Sequence, residues 1–271
     1  MEAIPAFLLA HEPTIRLSVF VGLLAALMVF EALSPRRALA QGRTRRWPSN
    51  LGIVVVNTVV VRLIIPLPPV GVALWAADSG WGLLHAVALP PLLAGIIAFL
   101  VLDLAIYGQH ALFHKVDLLW RLHRMHHADV DVDVTTGARF HPIEIVLSVL
   151  IKMALVVVIG APAVAVMVFE VVLNATSMFN HANIVLPRPV DAALRLIVVT
   201  PDMHRVHHSI HRDETDSNYG FNLPWWDRLF GTYNAQPRDG HAAMDLGIPQ
   251  FRDPGEQRLD RMLAQPLRDG G

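Results

Sequence analysis

Eight of the fourteen histidines in this chain fall into three short boxes. The boxes are His110-Ala111-Leu112-Phe113-His114, His123-Arg124-Met125-His126-His127 and His204-Arg205-Val206-His207-His208. In an α-helix, residues three and four positions apart share one face, so each box directs two or three imidazoles to the same side. Neutral imidazole is a good ligand for iron, zinc, copper and nickel. The spacing therefore indicates metal binding by side chains on helices.

The composition restricts which metal chemistry is possible. The chain has no cysteine, which excludes disulfides, thiolate metal sites, iron–sulfur clusters and cysteine nucleophiles. Any metal must therefore be held by nitrogen and oxygen donors. One zinc ion takes at most four protein ligands, so eight boxed histidines suit two ions better than one. The net charge of −1 gives no general indication of nucleic-acid binding.

The hydropathy of the chain indicates a membrane protein. Hydrophobic residues make up 54% of the sequence and charged residues 17%, against about 25% charged in soluble proteins. The apolar stretches are Leu17–Leu33, Leu51–Ala77 with a proline cluster inside it, Pro90–Tyr107, Ile143–Ile159 and Ala163–Phe179. Because Gly160-Ala161-Pro162 separates the last two, they are expected to form a hairpin, with Lys152 and Glu170 pairing across it. We predict an all-α membrane bundle of about four transmembrane or hairpin helices with a histidine-rich helical cap.

The basic residues predict the orientation of this bundle. Five arginines lie between residues 36 and 46, and such a loop is typical of the cytoplasmic side. The loop at 78–89 has no lysine or arginine and suits the opposite side. Alternation then brings the three boxes, and His181 after the hairpin, to the cytoplasmic face. We expect an integral protein of a bacterial inner membrane with cytoplasmic histidine boxes.

The residues alone leave three functions open. Two metal ions held by histidines at a membrane surface suggest redox chemistry on a lipid. A zinc-dependent membrane hydrolase is a second possibility, but Ala111 stands where an H-E-x-x-H motif has its glutamate, so the base would have to be Glu144 or Glu170. A non-enzymatic metal-binding membrane protein is the third. Bound metal without oxygen consumption would distinguish it from the first.

Several further motifs, together with the boxes, resemble one known family. They are Arg139-Phe140-His141-Pro142-Ile143-Glu144, Asn180-His181, Asp216-Ser217-Asn218-Tyr219-Gly220 and Trp226-Asp227-Arg228-Leu229-Phe230-Gly231-Thr232. This set resembles the fatty acid hydroxylase/sterol desaturase superfamily over about residues 95–234. The resemblance implies an integral membrane enzyme with two iron ions, for which zinc can substitute. It also implies that dioxygen and two electrons serve to hydroxylate or desaturate a lipid C–H bond.

The resemblance assigns the metal ligands residue by residue. They would be His110, His114, His123, His126, His127, His181, His204, His207 and His208. Two positions depart from the family pattern: Ser177 occupies the place of a further ligand in some members, and Ala111 that of a common arginine. We find no dinucleotide, flavin or haem motif, and the resemblance implies an external electron donor such as a ferredoxin or a cytochrome b5-like protein. The lipid substrate is left open.

Groups that would support the ligands are also expected. The candidates for hydrogen bonds to the ligating imidazoles are Asp103, His141, Asp202, Asp216 and Asp227. His211 could serve likewise, whereas Arg139 and Glu144 could simply pair to fix a corner. We divide the chain into an N-terminal transmembrane region (1–94), a fatty acid hydroxylase-like di-iron catalytic domain (95–234) and a loose C-terminal tail (235–271), in which His241 is expected to be inert.

Overall fold

The computed structural model describes residues 3–87 and 89–269. The regions expected at 1–94, 78–89 and 235–271 therefore fall partly outside the described residues. The α-helices are α1 (Ala3–Ala10), α2 (Glu12–Leu33), α3 (Arg43–Ile64), α4 (Pro69–Asp78), α5 (Leu83–Ala86), α6 (Pro91–Lys115), α7 (Asp117–His127), α8 (Pro142–Ile159), α9 (Ala163–His181), α10 (Arg188–Leu194), α11 (Pro201–His207), α12 (Arg212–Thr215), α13 (Trp225–Phe230), α14 (Gly240–Ala243) and α15 (Leu259–Ala264). Short 3₁₀ helices lie at Thr136–Ala138, Pro254–Gln257 and Gln265–Leu267.

The prediction of an all-α membrane bundle is confirmed. Five segments are long and apolar enough to cross a membrane, against the expected number of about four. They are α2, the interrupted segment from Arg43 to Ala86, α6, α8 and α9. No named strand occurs within the described ranges. The remaining helices are short and lie mainly after the hairpin, where the sequence becomes more polar.

The proline cluster breaks the second apolar segment, as expected. Helix α3 ends at Ile64, and α4 begins at Pro69, one residue after the extended residue Pro68. Proline lacks the N–H that would continue the helical ladder, so the chain turns here. Helix α4 then packs against α8 and α9 and buries Val72, Ala73 and Ala76. The break therefore returns the chain onto the bundle and completes its apolar core.

The expected hairpin is formed by α8 and α9. Gly160 ends α8 with a φ of +66°, a conformation that glycine adopts without steric cost. A Cβ on Gly82 would lie 2.2 Å from the Cα of Gly160, so the segment after α4 touches this turn directly. Because α6 and α9 both run away from this end of the bundle, their last turns meet at the other end, where the histidine boxes lie.

Buried charges connect the hairpin to the rest of the bundle. Lys152 Nζ lies 2.7 Å from Glu170 Oε1, which confirms the pair expected across the hairpin. The sequence did not predict that Arg16 Nη1 lies 2.7 Å from the other carboxylate oxygen of Glu170 and also 2.7 Å from Glu12 Oε1. Charges within apolar segments persist only when they find such partners. This network therefore holds α2 against α8 and α9.

The expectation of a loose C-terminal tail is wrong for residues 235–269. Met262 packs with Ile53 of α3 and Met125 of α7, and Phe251 packs in a cluster around Ala128. The carbonyl of Gln265 accepts a 2.6 Å hydrogen bond from Arg124 Nη2. The composition of this region is polar, and its apolar residues lack any helical or strand periodicity, so the pattern gave no indication of this packing. These residues cover the second histidine box.

We expect the two ends of the bundle to face opposite sides of the membrane. Since the chain has no cysteine, single cysteines can report this. Ser79 is exposed at the end near the hairpin turn, whereas Gly255 is exposed beside the cap and has open space where a side chain would go. A membrane-impermeant maleimide applied to intact cells should label Ser79→Cys and should label Gly255→Cys only after the membrane is opened. Labelling of Gly255→Cys in intact cells would contradict the cytoplasmic orientation.

Candidate metal centre

Four helix segments bring nine histidines together at one end of the bundle. The first box ends α6, and the second ends α7. The third ends α11 and includes its C-cap residue His208, and His181 is the last residue of α9. Val116 is extended between α6 and α7 and reverses the chain, so the first two boxes face each other. Thr200 caps α11 by accepting a hydrogen bond from the amide of Met203, and Pro201 occupies the first turn. The exposed fraction of each of the nine histidines is 3% or less.

The nine imidazoles form two adjacent groups. Within each group, one possible ligand atom per residue lies within 4.8 Å of all the others. The five-histidine group consists of His110, His114, His123, His127 and His207, and the four-histidine group consists of His126, His181, His204 and His208. The i,i+4 pair of each H-x-x-H-H box enters one group and the remaining histidine enters the other. The second and third boxes therefore each contribute ligands to both groups. His181, which lies outside every box, belongs to the four-histidine group.

Six of the nine histidines have their Nδ1 atom against a protein oxygen. The pairs are His110 with Tyr219 O, His114 with Asp216 Oδ1, His123 with Glu144 Oε1, His126 with Arg139 O, His181 with Ser177 O and His207 with Ser217 O, at 2.6–3.2 Å. A carbonyl or carboxylate oxygen can only accept, so Nδ1 must carry the proton and donate it. In a neutral imidazole this leaves Nε2 as a bare lone pair.

The Nε2 atoms of these histidines converge, and no proton lies between the two members of the His110–His123 pair or of the His126–His181 pair. The Nε2 atoms of His110 and His123, of His126 and His181, and of His181 and His204 lie 3.1 Å apart. The Nε2 atoms of His114 and His207, and both ring nitrogens of His127 and His208, have no hydrogen-bond partner among the described residues. A buried polar atom without a partner costs about 1–3 kcal/mol. A cation in each group would satisfy these atoms, so the donor set fits two metal ions.

Five histidines of the second and third boxes are held neutral. Burial is the main cause that lowers the pKa of His126, His127, His204, His207 and His208 well below the usual value for histidine. Neighbouring imidazoles lower these pKa values further. The neutral form is the one that binds metal, so these side chains are ready to act as ligands near neutral pH.

Of the expected supporting carboxylates, Asp216 reaches a histidine directly and Asp227 acts through the backbone. Asp216 Oδ1 lies 3.2 Å from His114 Nδ1, and its other oxygen accepts from Arg212 Nε at 2.8 Å. Asp227 accepts from the amides of Tyr219 and Gly220 at 2.8 and 2.9 Å. It therefore fixes the loop whose Tyr219 carbonyl accepts from His110.

The other expected supporting groups do not contact the nine histidines. Asp103 lies seven residues before His110, about 10 Å along the helix, and so does not reach it. It accepts a 2.8 Å hydrogen bond from Trp226 Nε1 instead. Asp202 points away from the cluster, since residues two apart on a helix do not share a face, and it pairs with Arg36 Nε at 3.0 Å.

The two histidines expected to support the ligands lie elsewhere. His141 caps α8 through a 3.3 Å hydrogen bond from the amide of Ile143, and His211 pairs with Asp239 at 2.7 Å.

Glu144 supports the cluster in a way that the sequence did not predict. Its Oε1 lies 2.7 Å from His123 Nδ1, and its side chain is buried. The expected pair with Arg139 is not formed. Arg139 instead donates to the carbonyl of Met125 at 2.9 Å and to Asn50 Oδ1 at 3.3 Å. A glutamate in the first turn of a helix that abuts the second box was the available signal for this role.

A buried ion-pair network fixes the loop that follows the second box. Arg46 Nε and Nη2 lie 2.6 and 2.7 Å from the two oxygens of Asp129, and Nη1 lies 2.7 Å from Asp133. Burial by itself would raise the pKa of Asp129, but the charges of Arg46 and Arg139 bring it down to about 2. The sequence analysis assigned Arg46 only to the cytoplasmic loop. The alternating acids at 129, 131 and 133 were the available signal for this network.

Comparison with known proteins identifies relatives for about half of the chain. The profile of the fatty acid hydroxylase family matches residues 95–232. An ornithine lipid hydroxylase, OlsE, of Rhizobium tropici is 31% identical over 56% of this chain and 45% of its own length. The human alkylglycerol monooxygenase is 32% identical over 51% of this chain and 30% of its own length. A very-long-chain aldehyde decarbonylase, GL1-6, of Oryza sativa subsp. indica is 27% identical over 70% of this chain and 29% of its own length.

The similarities cover only part of each relative. The matched region spans less than half the length of each of these curated relatives. No solved structure matches the chain. The comparisons therefore establish a shared family and leave the activity and substrate of the whole protein to be proposed.

We expect His181 to hold metal in the four-histidine group. His181→Ala removes a nitrogen that lies 3.1 Å from two other imidazole nitrogens. Purified protein should therefore lose about one metal ion per chain, measured by elemental analysis, while still inserting into the membrane. His211→Ala is the matched control, because His211 lies outside both groups and is partly exposed. A His181→Ala protein with the metal content of the wild type would contradict the assignment.

We expect Glu144 to strengthen metal binding through His123. Removing a hydrogen-bond acceptor behind a ligating imidazole typically lowers metal affinity by about 10- to 100-fold. Glu144→Ala should show this loss in competition with a chelator, and Glu144→Gln should show a smaller one because its amide oxygen still accepts. Asp117→Ala, which removes an exposed acid from α7, should leave the affinity unchanged. Equal affinities for Glu144→Ala and the wild type would refute this role.

Proposed function

The chain belongs to the fatty acid hydroxylase family, and from this membership we propose that it is an integral membrane oxidoreductase that hydroxylates a C–H bond of a lipid. The observation that carries the proposal is the pair of buried all-histidine groups at the end of apolar helices. Two relatives are named as a lipid hydroxylase and an alkylglycerol monooxygenase, which favours hydroxylation over desaturation.

We propose that each histidine group holds one iron ion. Two iron ions, when bound, would supply the activation of dioxygen and the removal of hydrogen from an unactivated C–H bond. Neither group contains a carboxylate or a thiolate within the described residues. Because the affinity of nitrogen ligands does not by itself select iron, zinc can fill the same positions when it is abundant.

The protein would contribute rigid ligand geometry and a dry surrounding. The hydrogen bonds to Nδ1 fix the rotation of six imidazoles, which keeps their Nε2 atoms directed inward. Phe140 stacks on His126 with ring centroids 4.5 Å apart, and Phe221 lies 5.0 Å from His110. Such apolar walls limit the access of water to a metal site and so protect reactive chemistry.

We propose that the electrons come from a partner protein such as a ferredoxin or a cytochrome b5-like protein. Hydroxylation by dioxygen consumes two electrons, and we find no dinucleotide, flavin or haem motif in the sequence that would supply them. We further propose that the histidine end faces the cytoplasm of a bacterial cell, where soluble donors are available. The five arginines between residues 36 and 46 support this side.

The hydrolase alternative has less support, because both carboxylates that it would need are occupied. Glu170 is bound by Lys152 and Arg16, each at 2.7 Å. Glu144 faces His123 Nδ1, the nitrogen on the side away from the converging Nε2 atoms. A general base must reach a metal-bound water, and neither group is directed toward that position. A metal-handling protein would hold the same ions but would catalyse no oxidation.

We expect the purified protein to contain close to two metal ions per chain, one for each histidine group. Lipid extracts of cells that express it should contain a species heavier by one oxygen atom than its precursor, and this species should be absent from a deletion strain. Expression of His110→Ala in the deletion strain is the control and should not restore the species. Less than one metal ion per chain in iron-replete preparations would contradict the di-metal centre, and identical lipid profiles would contradict the hydroxylase.

A further inference from the structure

A basic cavity of about 680 Å³ lies on the opposite side of α11 from the histidine groups. Asp202 forms part of its wall, only two residues from His204. The cavity is bounded mainly by α10, the residues around α13 and the chain after α2. Four arginines line it: Arg36, Arg188, Arg195 and Arg228. None of these residues belongs to the proposed metal centre.

The arginines outnumber the acids that could neutralise them. The two carboxylates in the lining, Asp202 and Asp191, are each engaged by an arginine, at 3.0 Å from Arg36 Nε and at 2.7 Å from Arg195 Nε. Arg188 and Arg228 have no ion pair with any described residue. The cavity therefore carries an excess of about two positive charges at neutral pH, where guanidinium is always protonated.

Buried polar atoms in the wall also lack partners. Arg195 is 5% exposed; its Nη1 donates to the carbonyl of Ala235 at 2.8 Å, whereas its Nη2 has no hydrogen-bond partner among the described residues. His241 is also 5% exposed, and both of its ring nitrogens lack hydrogen bonds to the part of the chain described. Burying such groups without partners is costly, and an acceptor oxygen on a ligand would satisfy Arg195 Nη2 and the one N–H of a neutral His241.

An exposed apolar surface adjoins the cavity. Trp225, Leu229 and Phe230 of α13 are exposed, as are Leu196 and Ile197 after α10. The two segments are joined by a 2.7 Å hydrogen bond from Trp225 Nε1 to the carbonyl of Leu196. Arg228 lies on the same short helix as the aromatic residues and donates to the carbonyl of Arg195 at 3.2 Å. Aromatic residues next to arginines are typical of the interface between membrane and water.

We propose that this cavity binds the anionic headgroup, a phosphate or a carboxylate, of a membrane lipid whose chains lie against the apolar surface. Guanidinium groups bind both anions through paired, charge-assisted hydrogen bonds. That the bound lipid is the substrate of the neighbouring metal centre rests on the proposed function. The binding itself does not depend on that function.

The test measures binding without turnover. Purified full-length protein in neutral detergent is titrated with dihexanoyl phosphatidic acid, with dihexanoylglycerol and with inorganic phosphate. The wild type should bind phosphatidic acid at least tenfold more tightly than either of the others, because only this probe combines the anion with acyl chains. Arg188→Gln and Arg228→Gln should each weaken its binding about tenfold, the size expected for one charge-assisted hydrogen bond.

The controls separate recognition from general charge and from folding. Arg261→Gln removes an exposed arginine outside the cavity and should bind phosphatidic acid as the wild type does. All three variants should keep the metal content of the wild type. Arg188→Gln and Arg261→Gln should also keep its thermal unfolding temperature, whereas Arg228→Gln loses the hydrogen bond to the Arg195 carbonyl and the contact with the Tyr233 ring. Arg188→Lys, which keeps the charge but loses the paired hydrogen bonds, should recover part of the affinity.

Three outcomes would overturn the proposal. Equal affinity of the wild type and both glutamine variants for phosphatidic acid would show that the cavity does not bind the headgroup. Equal affinity for dihexanoylglycerol would show that the anion is not recognised, and equal affinity for inorganic phosphate would identify a site for free phosphate instead of a lipid. A protein that shows the expected binding but oxidises no lipid would refute the proposed function and leave the headgroup site standing.

Discussion

The hydrogen bond from Nδ1 of a buried imidazole to a protein oxygen is the interaction on which this structure depends. It fixes the tautomer and the rotation of a histidine together. Six such bonds leave six Nε2 lone pairs directed into the cluster. The packing around these imidazoles therefore holds an arrangement that is unfavourable until a cation enters it.

Each acceptor must itself be held, which connects the cluster to distant parts of the chain. The Tyr219 carbonyl is positioned by Asp227, which binds the amides of Tyr219 and Gly220. The second box is followed by Asp129, whose carboxylate receives Arg46 from α3. The C-terminal residues then cover α7. The apolar helices thus provide the scaffold, whereas ion pairs and loop hydrogen bonds set the positions of the imidazoles.

The same arrangement explains how a polar centre can lie at the end of an apolar bundle. Inside the bundle, Glu170 is neutralised by Lys152 and Arg16, and the imidazoles are neutral ligands. The cap presents an apolar surface beside the arginine-lined cavity on the other side of α11. A lipid held there would remain in the membrane while its headgroup lies one helix away from the metal centre. Chemistry on a molecule that never leaves the membrane requires such proximity.

The sequence by itself determined the helical membrane fold, the boxes and the turn that returns His181 to them, because helical periodicity and hydropathy are local properties of the chain. Only the tertiary structure decided how the nine histidines divide into groups of five and four, since that depends on which helices face each other. It also decided the partners of the acids. Glu144 and Asp216 reach imidazoles, whereas Asp103 does not, and these contacts join residues far apart in the sequence. The packing of the C-terminal residues was missed for the same reason, because scattered apolar side chains become a core only when another surface meets them.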